Sequence, residues 1–269
     1  MSNAPTQDRP TAAGMYDYFL GGTTHTAADR AAAEQVLQIV PEVSDGAWAN
    51  RGFLQRAVRR MAGEWRVRQF IDIGAGLPTQ RNTHQVAAEV ATGCRVVYVD
   101  IDPVAVAKGH ELLGDTAGTT VIEADVREVR YILEHPRTRA LIDFSQPVGL
   151  LMVAVLHFVP DIDDPWQLME RYLAAIPSGS YLALSHASGD HTPARIREAV
   201  FEIYRRTATP PSDRSKTEIE RFFTGLETVP PYQGAPPELT FTGIWGAEDP
   251  QAADTDGSRL AYAAVARKP

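Results

Sequence analysis

A doubly wound α/β fold around a mainly parallel, seven-stranded sheet is predicted by three features of the sequence. Stretches typical of strands and of helices alternate from residue 67 to residue 186, which is the pattern of parallel strands joined by crossover helices. The run from Gly149 to Leu156 is apolar throughout, as expected of a central strand covered on both faces. The short strand Phe70–Ile73 breaks into Gly74-Ala75-Gly76 before a helix-like stretch, which puts a glycine turn at the start of the α/β region.

Residues 1–66 are expected to form an N-terminal helical cap. An alanine-rich helix runs from Ala27 to Val40 and stops at Pro41. A further helix buries one face, on which apolar residues recur at helical spacing: Phe53, Leu54, Ala57, Val58 and Met61. Several arginines also lie on this helix, and most of them are interpreted as a solvated basic face.

Residues 67–186 are expected to form the α/β core. Strand candidates are Phe70–Ile73, Arg95–Val99, Thr120–Glu123, Val148–Leu156 and Tyr181–Ser185. Helix candidates lie near residues 83–92, 103–113, 126–134 and 165–175. The last of these is expected to begin with Asp164 as N-cap and Pro165 in its first turn.

A helical insertion is predicted over residues 187–235. An edge hairpin that completes the sheet is predicted over residues 236–269. The helical stretches of the insertion precede a link rich in proline and glycine. Two strand candidates follow it, Leu239–Trp245 and Arg259–Ala266. We expect the whole chain to form one domain with these four parts.

The composition excludes several classes of function. A net charge of −8 argues against a general nucleic-acid or anionic-membrane binder, since either needs a dominant basic surface. The one cysteine excludes an intramolecular disulfide and a cysteine-based zinc site. No apolar window is long enough to span a bilayer, and Met1 to Thr11 contains no apolar signal core, so we expect a cytoplasmic protein.

The glycine turn predicts a site for a nucleotide-type cofactor. Glycines let the backbone turn sharply and let a ligand approach closely, which a Cβ would obstruct. The first amides of the following helix are unpaired and favour an anionic or polar group. However, Thr79 stands where a dinucleotide site has its third glycine, so Gly-x-Gly alone is a weak indication.

Two acidic residues at strand ends indicate an adenosine group in the ligand. Asp100 ends the second strand beside the turn, where its carboxylate can accept both hydroxyls of a ribose. Asp125 follows the third strand and can take the adenine amino group, while Val126 supplies an amide or an apolar contact. NAD and S-adenosylmethionine sites share the ribose carboxylate, so this feature does not choose between them. The alternative role of Asp125 is to cap a helix.

Longer motifs make the indication more specific. They are Tyr16-Asp17-Tyr18-Phe19-Leu20-Gly21-Gly22, Ala49 to Leu54, Gln69 to Thr79, Asn82-Thr83-His84, Val97 to Pro103 and Gly179 to Leu182. Together they resemble class I S-adenosylmethionine-dependent methyltransferases and, more closely, the uncharacterised bacterial S-adenosyl methyltransferase family. The resemblance is strong over about residues 8 to 188. Gly14-Met15 departs from it, because a basic residue more often precedes Tyr-Asp-Tyr in that family.

The resemblance implies a Rossmann-like methyltransferase fold and S-adenosylmethionine as cofactor, but it does not name the methyl acceptor. The glycine turn would bind the methionine part, the end of the second strand the ribose, and the end of the third strand the adenine. Tyr16 and Tyr18 would form a lid, or alternatively only pack within the cap. Arg51 would pair with the cofactor carboxylate, or alternatively lie at the surface. The candidate cofactor-binding residues are Gly74, Ala75, Gly76, Asp100, Ile101, Asp125, Val126, Tyr16, Tyr18 and Arg51.

Two histidines at predicted strand ends are the candidates for catalysis. His157 is the first choice for a base or acceptor ligand and His186 is the second; the alternative is a histidine bonded to a backbone carbonyl. A base is needed only where the acceptor must lose a proton early. No metal is expected, because a helix N-terminus explains the acidic residues at 161–164. His84 is expected to brace the glycine turn.

The sequence therefore favours a methyltransferase that acts on a small-molecule acceptor enclosed by the cap and the insertion. A non-catalytic protein that binds S-adenosylmethionine, as a sensor or partner module, is the alternative. An NAD-dependent oxidoreductase is disfavoured by Thr79 and by the final edge hairpin.

Overall fold

Eight strands form one sheet at the centre of the protein, in a computed structural model that describes residues 9–78, 81–113 and 116–269. The strands are β1 (Gln69–Ile73), β2 (Arg95–Asp100), β3 (Thr119–Glu123), β4 (Gly149–Val153), β5 (Tyr181–Ala187), β6 (Glu227–Thr228), β7 (Thr240–Phe241) and β8 (Ala261–Arg267). Their order is β3, β2, β1, β4, β5, β8, β6, and β7 also pairs with β8. The first five are parallel and β8 is antiparallel to β5. This arrangement confirms the predicted fold class. Thr79, which stands where a dinucleotide site has its third glycine, lies outside the described residues.

The described residues form eight strands rather than the predicted seven. The segment expected as a strand over Leu239–Trp245 is a strand only at β7, and β6 was not expected. Both short segments pair with β8, and the proline- and glycine-rich link separates them. Prolines lack the amide that a sheet ladder requires, so this edge cannot form one continuous strand.

The central strand β4 ends three residues earlier than predicted. Ala154, directly after Val153, has a φ of +57°, which is incompatible with an extended strand. The next residues form a 3-10 turn over Leu156–Phe158. His157 therefore lies in this turn and not at the end of the strand.

Helices flank the sheet in the order that the alternation predicts. They are α1 (Ala12–Phe19), α2 (Ala27–Ile39), α3 (Val43–Gly63), α4 (Thr83–Val90), α5 (Pro103–Leu113), α6 (Val129–Glu134), α7 (Pro136–Leu141), α8 (Pro165–Ala175), α9 (Ala194–Tyr204) and α10 (Lys216–Glu220). The cap of α8 is as predicted, since Asp164 accepts from the amide of Gln167 at 3.1 Å and Pro165 follows it. Helix α7 was missed by the sequence analysis. None of the described helices is long and apolar enough to cross a membrane.

Apolar side chains fill both faces of the sheet, as a doubly wound fold requires. On one face, Ile71 and Ile73 of β1 pack in a cluster with residues of α6 and α8. On the other face, Phe70 and Tyr98 pack against residues of α3 and α4. Asp72 belongs to this second face by strand alternation, so its carboxylate lies beneath helices rather than in solvent.

The first two helices form a small core of their own that includes residues of the insertion. Met15, Phe19 and Val36 pack together with Ile203 of α9. Two buried aspartates organise the segment: Asp29 accepts from the amide of Thr11 at 2.7 Å, and Asp17 accepts from the amide of Thr24 at 2.9 Å. The cap and the insertion are therefore in direct contact.

Candidate functional site

The glycine turn after β1 is fastened to the end of β2. Gly74 and Gly76 have φ values of +70° and +66°, where residues with a Cβ are rare. The amides of Gly74 and Ala75 donate to the Val99 carbonyl at 2.8 and 3.1 Å. A Cβ on Gly74 would lie 2.5 Å from Cγ2 of Val155, whereas a Cβ on Gly76 would meet no described atom within 4 Å. Gly74 is thus required for packing, and a ligand can approach the open side of Gly76.

Asp100 ends β2 with its carboxylate against this turn. Its oxygens accept from the amide of Gly76 at 2.7 Å and from the amide of Asp102 at 2.9 Å. Burial raises the pKa of Asp100, against the lowering effect of these amides. A carboxylate has about four lone-pair sites, so each oxygen can accept one further hydrogen bond. The group can therefore hold two neighbouring hydroxyls.

Asp72 is a buried carboxylate in the middle of β1, with only 5% of its surface exposed. The hydroxyl of Thr83, in the first turn of α4, donates to its Oδ2 at 2.6 Å. Burial raises the pKa of Asp72 to about 6, although Thr83 and the charge of Arg51 oppose this shift. Asp72 is thus ionised at neutral pH at a cost in solvation, and a cationic ligand group beside it would relieve that cost.

Arg51 supplies a positive charge to the same region from α3. It is 7% exposed, and its guanidinium carbon lies 5.7 Å from the centre of the Tyr16 ring. Its Nε has no hydrogen-bond partner in the described part of the chain. A buried donor without a partner costs about 1–3 kcal/mol, and more when it is charged. An anionic ligand group at this position would remove that cost.

A tyrosine and a histidine hold the start of α4 against β2. The amide of His84 donates to the hydroxyl of Tyr98 at 2.9 Å, and Nδ1 of His84 lies 2.8 Å from the same oxygen. Burial lowers the pKa of His84, so its neutral Nδ1 can accept the Tyr98 proton. His84 braces the region of the turn in this way, as expected.

Arg51, Asp72 and Asp100 line one cavity together with the glycine turn. Its wall also includes Ala75, Gly76, Thr83 and Tyr98. The cavity therefore offers a cation for a carboxylate, an anion for an ammonium group and a second carboxylate for two hydroxyls. A ligand that joins an amino-acid group to a ribose fits this set of charges.

Asp125 lies elsewhere and is engaged by another partner. Arg127 pairs with both carboxylate oxygens, and it also contacts Asp163 at 2.7 Å. Burial opposes the shift, but the hydrogen bonds and charge of Arg127 lower the pKa of Asp125. Asp125 does not line the cavity beside Asp100, and Arg127 would have to move for it to bind an adenine amino group.

Val126 and Ile101 are the other two residues predicted to contact the adenosine part of the cofactor. The carbonyl of Val126 accepts from the hydroxyl of Tyr172 at 2.7 Å, which fixes the backbone after β3. Ile101 is 49% exposed directly after Asp100. An exposed apolar side chain beside the candidate ribose carboxylate offers a surface for a flat base.

The two candidate lid tyrosines have different surroundings. Tyr16 lies beside Arg51, and its hydroxyl donates to the carbonyl of Ala47 at 3.0 Å. Burial raises the pKa of Tyr16, although the charge of Arg51 opposes the shift. The hydroxyl of Tyr18 instead donates to Glu34 on α2 at 3.1 Å. The structure thus brings Tyr16 to the site and gives Tyr18 a packing role within the cap.

His157 and His186 lie side by side in the interior and do not line the cavity of Asp100. Their ring centres are 5.3 Å apart. Nδ1 of His186 donates to the carbonyl of Ala187 at 2.6 Å, so its Nε2 accepts from Arg214 at 2.9 Å. Burial lowers the pKa of both histidines, that of His186 to about 3. Both are neutral, both nitrogens of His186 are engaged, and a role for either in proton transfer stays a prediction.

The acidic residues after β4 each have a partner in the protein. Asp161 pairs with Arg214 at 2.7 Å, Asp163 pairs with Arg127, and Asp164 caps α8. In the part of the chain that the structure describes, no group of three or more His, Cys, Asp or Glu residues could hold a metal.

The sequence analysis did not single out Asp72 or Arg214. For Asp72 a signal existed, because it is the one charged residue of the short strand before the glycine turn. Nothing in the sequence distinguishes Arg214 from the other arginines, and its position depends on the packing of the insertion. The proximity of Arg51 and Asp72 in the cavity likewise depends on how α3 packs against the sheet.

Comparisons with known proteins identify the family and the fold. The model of a family described as S-adenosyl methyltransferase matches residues 2–269. A comparison with functionally curated proteins finds no match.

Three solved structures illustrate the likeness. A protein from Thermobifida fusca YX, described as a candidate methyltransferase, is 37% identical with a TM-score of 0.88, and the match covers 99% of each chain. A DUF574 family protein from Streptomyces avermitilis MA-4680 is 37% identical with a TM-score of 0.89, over 97% of this chain and 98% of its own. The N-methyltransferase NodS from Bradyrhizobium japonicum WM9, in complex with S-adenosyl-L-homocysteine, is 12% identical with a TM-score of 0.50, over 80% of this chain and 84% of its own, and shares the fold alone.

Proposed function

The chain belongs to the S-adenosyl methyltransferase family, and we propose that it transfers the methyl group of S-adenosylmethionine to a small-molecule acceptor. The methyltransferase class and the cofactor follow from the family match over residues 2–269 and from relatives that are 37% identical. The nature of the acceptor and the roles of individual residues are the proposal.

The observation that carries the residue roles is the buried Nε of Arg51, which has no hydrogen-bond partner among the described residues and lies in the same cavity as Asp72 and Asp100. Arg51 binds the carboxylate of the amino-acid end of the cofactor, and Asp72 attracts its ammonium group. Asp100 accepts hydrogen bonds from the two ribose hydroxyls, in addition to those that it receives from Gly76 and Asp102. The residues present therefore fit the carboxylate, the ammonium group and the ribose of S-adenosylmethionine.

A small acceptor is favoured because the cap and the insertion enclose the carboxyl end of the sheet. Ile203 of α9 packs among the apolar residues of α1 and α2. Arg214, farther along the insertion, donates to the carbonyls of Leu156 and Val159 in the loop after β4. A long acceptor such as a folded protein would have to displace these contacts.

The chemistry asks little of the protein beyond positioning. The cofactor supplies a methyl group on a sulfonium, whose thioether leaves without protonation. Arg51, Asp72 and Asp100 hold the amino-acid group and the ribose, which lie on either side of the sulfonium, and the cap excludes water from it. The proposal therefore requires no general base, and a contribution from His157 or His186 would depend on an acceptor that must lose a proton.

The proposal is tested by measuring S-adenosylhomocysteine formation with two fractions of a bacterial extract, one of small molecules and one of proteins. We expect product with the small-molecule fraction and none with the protein fraction. Arg51→Met should abolish most of the signal, which shows that product arises at this site. Product with the protein fraction alone would overturn the small acceptor. Binding of S-adenosylmethionine without product in either fraction would favour a sensor or partner module instead.

A further inference from the structure

A chain of buried and partly buried hydrogen bonds connects the end of the sheet to Tyr16. The amide of Ala154 donates to Oγ of Ser185 at 3.0 Å, and Ser185 Oγ donates to Oδ1 of Asn50 at 2.5 Å. Nδ2 of Asn50 donates to the Tyr16 hydroxyl at 2.9 Å, which in turn donates to the carbonyl of Ala47 at 3.0 Å. We call Ser185, Asn50 and Tyr16 the buried relay.

The relay joins three separate parts of the chain. Tyr16 belongs to α1, Asn50 to α3 and Ser185 to β5. Ser185 is fully buried and Asn50 is 5% exposed. Buried polar side chains must be satisfied within the protein. Asn50 bonds to both Ser185 and Tyr16, and each of these two also bonds to a backbone group. Removal of one member therefore takes one of two hydrogen bonds from each of its neighbours in the relay.

One end of the relay reaches the cation of the cofactor site. Arg51 follows Asn50 in α3, and its guanidinium carbon lies 5.7 Å from the Tyr16 ring centre. No hydrogen bond to Nε fixes the guanidinium among the described residues. The Tyr16 ring is therefore a contact of the Arg51 guanidinium, and Asn50 and the Ala47 carbonyl both bond to the hydroxyl of that ring.

The other end of the relay reaches the glycine turn. Ser185 accepts from the amide of Ala154, whose φ of +57° ends β4. Val155 follows, and its side chain packs so closely on Gly74 that a Cβ there would lie 2.5 Å away. The same serine thus supports the bend that covers the glycine turn.

We propose that Ser185 and Asn50 are positioning residues that hold Tyr16 against Arg51 and so set the site for the amino-acid end of the cofactor. This inference rests on the proposed function. It assigns the relay to recognition of one end of the ligand: the carboxylate and ammonium group, and not the ribose or the base. It also explains why a buried asparagine precedes the binding arginine.

The test compares two ligands that differ only in the amino-acid group. S-adenosylhomocysteine carries the carboxylate and the ammonium group, whereas 5′-methylthioadenosine keeps the adenosine and the thioether and lacks both. Their binding would be measured by isothermal titration for the wild type, Ser185→Ala, Tyr16→Phe and the double variant. We expect each single variant to bind S-adenosylhomocysteine about three- to tenfold more weakly, with 5′-methylthioadenosine unchanged within about twofold.

A matched control is available at the opposite end of β5. Ser180 is also fully buried, and its Oγ accepts from the amide of Val148 at 3.0 Å, just as Ser185 accepts from Ala154. Ser180→Ala should lower thermal stability to a similar extent and leave the affinity of both ligands unchanged. A general loss of folding is thereby separated from a local effect on the site.

The double variant tests whether the relay acts as a unit. If it does, Ser185→Ala with Tyr16→Phe weakens S-adenosylhomocysteine binding by no more than the larger single loss. Three results would each overturn the inference: equal losses for both ligands, additive losses in the double variant, or unchanged affinity for S-adenosylhomocysteine. In each case, binding of S-adenosylhomocysteine by the wild type would still support the proposed function. Failure of the wild type to bind S-adenosylhomocysteine would overturn the proposed function itself.

Discussion

At the residue scale, the site contains two buried carboxylates with different surroundings. Asp100 receives two backbone amides, and Asp72 receives one hydroxyl and lies near Arg51. Amide donors stabilise an ionised carboxylate that can still accept further hydrogen bonds, which suits hydroxyl ligands. The negative charge of Asp72 is only partly compensated in the interior, which favours a cationic ligand group. The difference leads to separate predictions.

Asp100→Asn should weaken S-adenosylhomocysteine binding about tenfold or more. The physical reason is the loss of charge-assisted hydrogen bonds to the ribose hydroxyls, worth about 1.5–3 kcal/mol. Isothermal titration measures the effect. The matched control is Asp102→Asn, because Asp102 lies two positions away and caps α5 through the amide of Val104 at 2.8 Å. Equal affinities of the two variants and the wild type would remove the ribose role from Asp100.

Asp72→Asn should make the protein more stable at pH 8 and leave its stability at pH 4 nearly unchanged. The folded-state pKa is about 6, above the ordinary value of 3.8, so the contribution of Asp72 to stability is fully present below about pH 4 and is lost as the pH rises through about 6. At 1.36 kcal/mol per pKa unit, the cost at pH 8 is about 3 kcal/mol or less. Asparagine avoids this cost and can still accept from Thr83.

Urea denaturation at the two pH values measures the free energy of unfolding for Asp72→Asn. Asp256→Asn, which alters an exposed aspartate, serves as the control and should change little at either pH. The more stable Asp72→Asn protein should bind S-adenosylmethionine more weakly, since it lacks the partner of the ammonium group. A variant that is less stable at pH 8 would show that Asp72 is compensated in the folded protein.

With an acceptor that must lose a proton, His157→Ala should leave cofactor affinity unchanged and lower turnover. Burial beside His186 and Arg214 keeps His157 neutral, and its Nδ1 accepts from the amide of Ala187 at 3.4 Å. Its Nε2 therefore carries the proton and is a donor in this state. Turnover equal to that of the wild type would exclude His157 as a base or acceptor ligand.

At the element scale, Arg214 fastens the insertion to the loop after β4. It is fully buried and donates to the carbonyls of Leu156 and Val159, to His186 and to Asp161. These contacts explain why His157 and His186 lie in the interior, at the junction of the two elements. The surroundings of His157 and His186 are those of a structural hydrogen-bond network.

Arg214→Met should lower the free energy of unfolding by about 2–4 kcal/mol, because buried carbonyls lose their donor. Chemical denaturation followed by tryptophan fluorescence measures this change. Arg221→Met is the matched control: both arginines lie over the Trp166 ring, at 5.4 and 3.8 Å, but Arg221 is exposed. The control should lose less than about 1 kcal/mol. Equal losses would mean that only the contact with Trp166 matters.

The ends of elements were harder to predict than their existence. The alternation of strands and helices depends on local hydrophobic periodicity, which the sequence displays directly. The early end of β4 depends on Ala154, whose unusual φ is supported by a hydrogen bond to Ser185 of another strand. The split of the last edge into β6 and β7 depends on which residues reach β8. Such long-range contacts leave no mark in a local pattern.

At the scale of the whole molecule, the sequence was sufficient for the fold class and the cofactor. Parallel pairing of β1 with β2 places the glycine turn next to Asp100, and this neighbourhood is predictable from the alternation of strands and helices. The convergence of Arg51 on this cavity rested on resemblance alone, because α3 lies outside the α/β alternation. The separation of Tyr16 from Tyr18 and the pairing of Asp125 with Arg127 depended on side-chain packing.

The most direct test of the account is isothermal titration of S-adenosylmethionine, S-adenosylhomocysteine and NAD against the wild-type protein. The cavity formed by Arg51, Asp72 and Asp100 predicts that the first two ligands bind with dissociation constants in the micromolar range and that NAD does not bind. Binding of NAD alone, or of none of the three, would contradict the assignment of this cavity to S-adenosylmethionine.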